Sequence, residues 1–359
     1  MKIDIVSDRR DGKGGMETVF TLLDTELRRR GISVRVILSE PSIHVEWEST
    51  LGDVYHVMKD TSWIDTKDYE RYEKIQRIEM ELFYKNMDKP DAVLVATKGF
   101  EVPIRSALGP DVLIFSWPHL NLNLRVTDDG ADFKSADGFL ALCEGIRKQS
   151  IRKNPMLPAF TIGNPLDIDV ASVSRPKTTP TFIYMGRITE QKRVDWIIKA
   201  FAKLRKKAWH LKIIGGGNLE SQVFQLAKQL GIYSRIEWLP FQEDPWGQVQ
   251  EASALLLSSW FEGFPMVILE SLARGIPVIS TDCPVGPADS IVHGQNGFLV
   301  GLEDFDSFVE TISDVMDGIL PLPSIDACRD SVRKYDASVV VERILEAVNS
   351  LKKVESVGL

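Results

Sequence analysis

The chain has 359 residues, with 43 Lys and Arg against 51 Asp and Glu, giving a formal net charge of −8. That balance disfavours a nucleic-acid binder with a broad basic surface, and neither half of the chain is basic, so any membrane-binding patch must be local. At 44% hydrophobic and 26% charged the composition is globular, no apolar run approaches the roughly 18 residues of a spanning helix, and three scattered cysteines (Cys143, Cys283, Cys328) form neither a CxxC pair nor an even disulfide set. The opening MKIDIVSDRR reads as a charged strand rather than a signal peptide. A reducing, cytoplasmic setting is therefore expected.

Lys2 to Val6 is a strand, followed by the glycine turn Asp11-Gly12-Lys13-Gly14-Gly15 and a helix from Met16 to about Arg30. In that helix Val19, Leu22, Leu23 and Leu27 recur at helical spacing, and Gly31 suits its C-cap. Val34 to Leu38, Asp91 to Ala96, Val112 to Phe115 and Gly138 to Leu142 are further strands; their near-continuous apolar runs point to parallel sheet covered on both faces. Tyr69 to Met87 reads as a charged surface helix. Asn164 to Pro180 holds three prolines and no long apolar run, and is taken as a linker.

The alternation then restarts. Strands are expected at Thr181 to Met185, Leu211 to Ile214, Ile236 to Leu239, Ala254 to Ser258 and Val278 to Thr281. Helices are expected at Val194 to Leu204, Asn218 to Leu230, Asp304 to Met316 and Ala337 to Lys352. The expected architecture is α/β: two Rossmann-like, doubly wound parallel-sheet domains facing an interdomain cleft, with ligands beyond the carboxyl ends of the strands. The expected boundaries are 1–165, a linker over 166–180, and 181–337, with a last helix at about 338–354.

Four segments carry candidate chemistry. Gly12 to Glu17 places a glycine turn at a helix N-terminus, either an anion site or simply a tight turn. Its spacing is GxGG, so it is no dinucleotide fingerprint. Gly186-Arg187-Ile188-Thr189-Glu190-Gln191-Lys192 follows a strand directly, and two cations there suit a diphosphate. The bland alternative is a solvated loop. In Glu262-Gly263-Phe264-Pro265-Met266-Val267-Ile268-Leu269-Glu270, Pro265 suits the first helical position and the helix N-terminus favours negative charge. Eight residues at about 1.5 Å rise separate the two carboxylates by roughly 12 Å, too far for a glycosidase pair, which fits acceptors for sugar hydroxyls better. Glu270 as an ordinary surface acid stays open. His119, in Phe115-Ser116-Trp117-Pro118-His119, follows a strand end and is either incidental or aimed at a ligand. No HExxH, P-loop, GxSxG elbow or paired metal spacing occurs.

Together GGMETV, GRITEQK, the triple glycine at Gly215 and the E-x7-E of Glu262 and Glu270 resemble the retaining glycosyltransferases of the GT-B fold, in particular family four, over almost the whole chain. FSWPH, EGFPM and DCPVGPAD look more narrowly like the lipopolysaccharide 1,6-galactosyltransferase branch. The resemblance implies transfer of a hexose, galactose or glucose, from a UDP-sugar to a cell-envelope glycan or glycolipid such as lipopolysaccharide core. It implies Arg187 and Lys192 on the donor diphosphate, Glu262 and His119 on the donor sugar, and Glu270 on the ribose. It further implies backbone amides of Phe264, Pro265, Met266 and Val267 on sugar and phosphate, Gly15 near the diphosphate, the last helix, at about 338–354, crossing back onto the N-terminal domain, and uracil near Gly216 and the loop Pro240 to Gln242. Many members carry an acid in the glycine loop where Gly215 to Gly217 has none. With cations and a helix N-terminus at the phosphate, no cofactor and no metal are expected; Asp128-Asp129 reads as surface. Arg28-Arg29-Arg30 and Arg147, Lys148, Arg152 and Lys153 are either solvated helix ends or contacts for a membrane surface, where the protein would sit peripherally. The rival readings are a sugar-nucleotide epimerase or phosphorylase of similar fold, and a catalytically idle nucleotide-sugar-binding subunit.

Overall fold

The computed structural model describes residues 1–8, 14–62, 68–119, 122 and 133–357. The chain forms two units, Met1–Leu166 with Tyr335–Leu359, and Asp167–Lys334. Asp11, Gly12, Lys13 and the Asp128-Asp129 pair lie outside the described residues.

The first unit runs β1 (Lys2–Ser7), α1 (Gly15–Arg29), β2 (Ser33–Leu38), β3 (Asp53–His56), α2 (Tyr69–Lys85), β4 (Ala92–Val95), α3 (Glu101–Leu108), β5 (Leu113–Ser116), β6 (Gly138–Ala141), α4 (Glu144–Lys153) and β7 (Ala159–Thr161). Its seven strands lie in the order β3-β2-β1-β4-β5-β6-β7, every neighbouring pair parallel. β4, β5 and β6 are buried along their whole length, as a sheet covered on both faces requires. The sequence reading missed β3 and β7. Both are edge strands, only partly buried and with at most four residues, so neither carries an apolar run to read.

The second unit contains β8 (Thr181–Met185), α5 (Val194–Lys203), β9 (His210–Ile214), α6 (Glu220–Gln229), β10 (Ile236–Leu239), β11 (Ala254–Leu257), α7 (Met266–Ala273), β12 (Val278–Asp282), α8 (Pro287–Ser290), β13 (Gly297–Gly301), α9 (Phe305–Asp317) and α10 (Ile325–Ser331). Its sheet is also parallel, in the order β10-β9-β8-β11-β12-β13. α5 shows how sequence makes the core. Val194, Ile197, Ile198 and Phe201 fall on one stripe, and all are buried with Phe182, Leu211 and Phe308. Each such side chain contributes about 1.5–3 kcal/mol of transfer free energy.

The last helix, α11 (Ala337–Val357), belongs to the first unit, where it packs on α1 and the β6–β7 edge. Arg343 donates to the Ile162 carbonyl at 2.9 Å, and Arg30 donates to Ser338 O at 2.7 Å and pairs with Glu342.

The segment read as a linker is not free. Residues 167–180 belong to the second unit. Ser174 bridges Glu251, and the Arg175 guanidinium donates to the carbonyls of Ala252, Ser253, Gly275 and Pro323. Prolines stop helix and strand, but a multidentate arginine still fixes an irregular segment by taking up carbonyls that nothing else satisfies. The units divide after Leu166 and after Lys334, rather than at 181 and 337.

Candidate active site

In the second unit β8, β9 and β10 progress in one direction across the sheet and β11, β12 and β13 in the other. β8 and β11 pair directly, Ala254 with Phe182 and Leu255 with Ile183, and the crossovers leaving their carboxyl ends run in opposite directions across the sheet, the arrangement that leaves a crevice at the switch point. Those loops are Gly186 to Lys192 and Ser258 to Pro265, the two strongest motifs of the sequence.

The two loops are stitched together. Trp260 N–H donates to Gln191 O at 2.8 Å, and the Gln191 side-chain amide donates back to Phe261 O at 2.8 Å. Ser258 Oγ lies 2.9 Å from the carbonyls of both Lys192 and Arg193. The result is an ion pair: Lys192 Nζ lies 2.6 Å from Glu262 Oε1, with side-chain exposures of 14% and 7%. Arg187 projects from the same loop, exposed, with no carboxylate partner among the described residues. Its carbonyl accepts from the buried Tyr184 hydroxyl at 2.6 Å. Burial raises the Tyr184 pKa, with Glu262 adding to the effect, so this hydroxyl is a fixed donor and not a base.

α7 begins one residue later than expected. Pro265 is its N-cap, at φ −70° and ψ 113°. Having no N–H, Pro265 offers a ligand no backbone donor, so the set assigned to Phe264–Val267 loses one member. Met266 and Val267 carry the first N–H groups of the helix, which no intrahelical carbonyl can satisfy. The DCPVGPAD segment supports this turn from behind. A Cβ on Gly286 (φ +101°) would lie 2.7 Å from Gly263 O and 2.9 Å from Pro265 Cδ, so only glycine lets the two loops close. The Cys283 thiol is pushed up to about 12, first by burial and then by Glu262, which leaves it unreactive.

Glu270 is not an ordinary surface acid. It is half-buried, and its Oε2 accepts the Trp246 indole N–H at 3.0 Å. Arg274 stacks over that indole at 4.6 Å and donates to the Glu270 carbonyl at 3.1 Å. Burial raises the Glu270 pKa, and the Trp246 bond and Arg274 oppose that rise. One carboxylate oxygen is thus held by the protein and the other is available to a hydroxyl.

The glycine loop after β9 closes the third side. Ile188 N–H donates to Gly216 O at 2.8 Å and Leu219 N–H to Ile188 O at 3.1 Å. Side chains are excluded here, since a Cβ on Gly217 would sit 2.4 Å from Ile188 O. The Glu220 carboxylate reaches back to within 3.0 Å of where a Gly216 Cβ would stand. Trp246, Arg193 and Trp260 escaped the sequence reading because none lies on a periodic stripe.

In the first unit Gly15 opens α1 after β1, and His119 follows β5. Both lie at the carboxyl end of the sheet, joined through Phe20, which stacks on Trp117 at 5.9 Å; His119 meets the Trp117 ring edge-on at 4.3 Å. The arginines of α1 are internally paired: Arg28 with Asp24 and Asp53, Arg29 with Glu26, and Arg30 with Glu26 and Glu342. Arg147 pairs with Glu144 at 2.8 Å. Lys148 and Arg152 stay exposed, near Met156, which is 90% exposed. No described helix is long and apolar enough to cross a membrane.

Two doubly wound parallel-sheet units are the architecture of the GT-B class. Residues 167–322 match the family described as Glycosyl transferases group 1. The chain is 32% identical over 327 residues to the lipopolysaccharide 1,6-galactosyltransferase of Escherichia coli K12, covering 89% of this chain and 90% of that one. It is 35% identical over 223 residues to the enzyme of the same name from Salmonella typhimurium LT2, covering 60% and 61%. The apo structure of the lipopolysaccharide outer core galactosyltransferase WaaB superposes with a TM-score of 0.81 at 27% identity, covering 98% of this chain and 99% of that one. The chain belongs to the glycosyl transferases group 1 family and is a glycosyltransferase.

Proposed function

We propose that this enzyme moves a hexose, galactose in the first instance, from a UDP-sugar to a lipopolysaccharide core or related glycolipid acceptor, with retention of configuration and without a metal. The observation that carries this reading is the Lys192–Glu262 pair at the switch-point crevice, beside Arg187, which is exposed and has no carboxylate partner among the described residues, and the first turn of α7. Breaking the sugar C1–O bond builds an oxocarbenium-like sugar and an anionic diphosphate. Arg187, Lys192 and the Met266 and Val267 amides are the preorganised donors for that charge. The acceptor oxygen forms the new bond to C1 on the face the diphosphate leaves, and the acceptor's proton passes to the departing phosphate oxygen. Glu262, already engaged by Lys192, fits a sugar-orienting acceptor better than a covalent nucleophile. Glu270 takes the ribose through its unengaged oxygen, and Gly216 lies beside uracil.

The membrane reading narrows to α4: Lys148 and Arg152, with Met156 beyond them, are suited to an anionic lipid surface holding a lipid-linked acceptor. Incubating the enzyme with UDP-galactose or UDP-glucose and either truncated lipopolysaccharide core or a simple glycolipid, then weighing products, tests the function. A hexose added to the core supports the reading. Tight donor binding with no product on any acceptor would favour the nucleotide-sugar-binding subunit.

A further inference from the structure

Arg193 is the only described non-glycine residue with positive φ, at φ 46° and ψ 45°. That left-handed conformation is disfavoured for an L-residue and persists only where the surroundings over-determine it. The surroundings here are specific. The guanidinium carbon lies 3.8 Å from the Trp196 ring and 3.9 Å from the Trp260 ring, so the planar cation is clamped between two indoles. Nε donates to the Ser258 carbonyl, and one terminal nitrogen donates to Leu302 O at 2.8 Å. Arg193 is 4% exposed, whereas Trp260 on its outer side is 37% exposed.

Ser258 directly follows β11, at the start of the loop that leads to Glu262, and its hydroxyl donates to the carbonyls of Lys192 and Arg193. Trp260 lies between Ser258 and Glu262 and donates its N–H to Gln191 O. The clamp therefore joins the loop bearing Lys192 to the loop bearing Glu262 through their backbones. Its two rings come one from each side of the junction.

We infer that Arg193, clamped by Trp196 and Trp260, is the positioning residue that sets the Lys192–Glu262 pair for catalysis without itself touching the donor. This rests on the diphosphate reading of Lys192. A loop misplaced by about 1 Å can cost on the order of 100-fold in rate. Lysine at 193 would not replace the clamp, because only a planar guanidinium fills the space between two rings.

The test is a double-mutant cycle. Arg193→Gly keeps the left-handed backbone and removes the clamp; it should lower kcat by about 100-fold with donor KM changed by less than about 3-fold. Trp260→Leu, at a partly exposed position, removes one ring without changing residue 193 and should act in the same direction. In a Lys192→Met/Glu262→Gln background, Arg193→Gly should cost nothing further. An equal loss in both backgrounds, or full activity in Arg193→Gly and Trp260→Leu, overturns the inference. Normal turnover in Lys192→Met/Glu262→Gln alone overturns the diphosphate reading, and the inference with it.

Discussion

Removing the Lys192 ammonium while leaving Glu262 in place separates structural from catalytic contributions. The pair is 2.6 Å long and nearly buried on both sides, so Lys192→Met strands a carboxylate out of water. Breaking a buried pair from one side costs about 3–5 kcal/mol, and the residual exposure of Lys192 places this one near the lower end. For a unit of this size, about 3 kcal/mol corresponds to a Tm lower by roughly 6–12 °C. Neutralising the partner as well, in Lys192→Met/Glu262→Gln, should return most of that stability, because a neutral pair of similar volume has no charge to desolvate. Turnover behaves differently. Losing one charge-assisted donor to the leaving group should lower kcat by about 100- to 1000-fold, or about 2.7–4 kcal/mol, by analogy with a lost oxyanion donor. The double variant should stay at least that slow. Calorimetry on the three proteins and steady-state UDP release measure both quantities. A double variant that regains turnover with its stability would make Lys192 purely structural. A single variant with unchanged Tm would deny the buried pair.

Further outcomes follow from this site and from α4. Arg187→Ala, at an exposed position with no carboxylate partner among the described residues, should leave the unfolding free energy within about 0.5 kcal/mol of wild type while lowering kcat far more than it raises donor KM, as calorimetry and steady-state kinetics would show. Glu270→Gln should raise donor KM with kcat retained, and should stabilise the unliganded protein at neutral pH. Burial lifts the folded-state pKa above the unfolded 4.5, so ionising Glu270 removes stability as pH rises through that window. Donor KM should accordingly rise on acidification above the ordinary carboxylate range, and Trp246→Phe, by removing the N–H that favours the ionised form, should move that rise to higher pH. Activity should survive excess EDTA, and restoration by magnesium or manganese after its loss would defeat the metal-free mechanism. Lys148→Glu/Arg152→Glu should weaken flotation with phosphatidylglycerol vesicles but not with neutral ones.

Much of this architecture was legible because parallel strands buried on both faces leave continuous apolar runs such as AVLV in β4 and TFIYM in β8. The edge strands β3 and β7 are short and only partly buried and leave no such trace, whereas β13, an edge strand of the second sheet, carries the apolar run GFLVG that the sequence reading passed over. The loops after β8 and β11 stood out because chemistry concentrates their residue types: Arg187, Lys192, Glu262 and Glu270 sit just beyond strand ends in the sequence itself. Their partners were not legible. Trp246 reaches Glu270 from a 3₁₀ turn (Trp246–Gln248) with no periodicity, and Arg193 occupies a backbone conformation that sequence normally signals with glycine or asparagine. Proline content marked residues 166–180 as irregular, but only the fold shows Arg175 fastening them to the second unit.

The most direct test is the stereochemistry and stoichiometry of a single turnover: enzyme in excess over UDP-α-galactose, with lipopolysaccharide core as acceptor and EDTA present, the new anomeric linkage read by NMR. We predict an α-galactoside on the core with one UDP released per linkage formed. A β-linked product, or UDP and free galactose with unmodified core, would contradict the account.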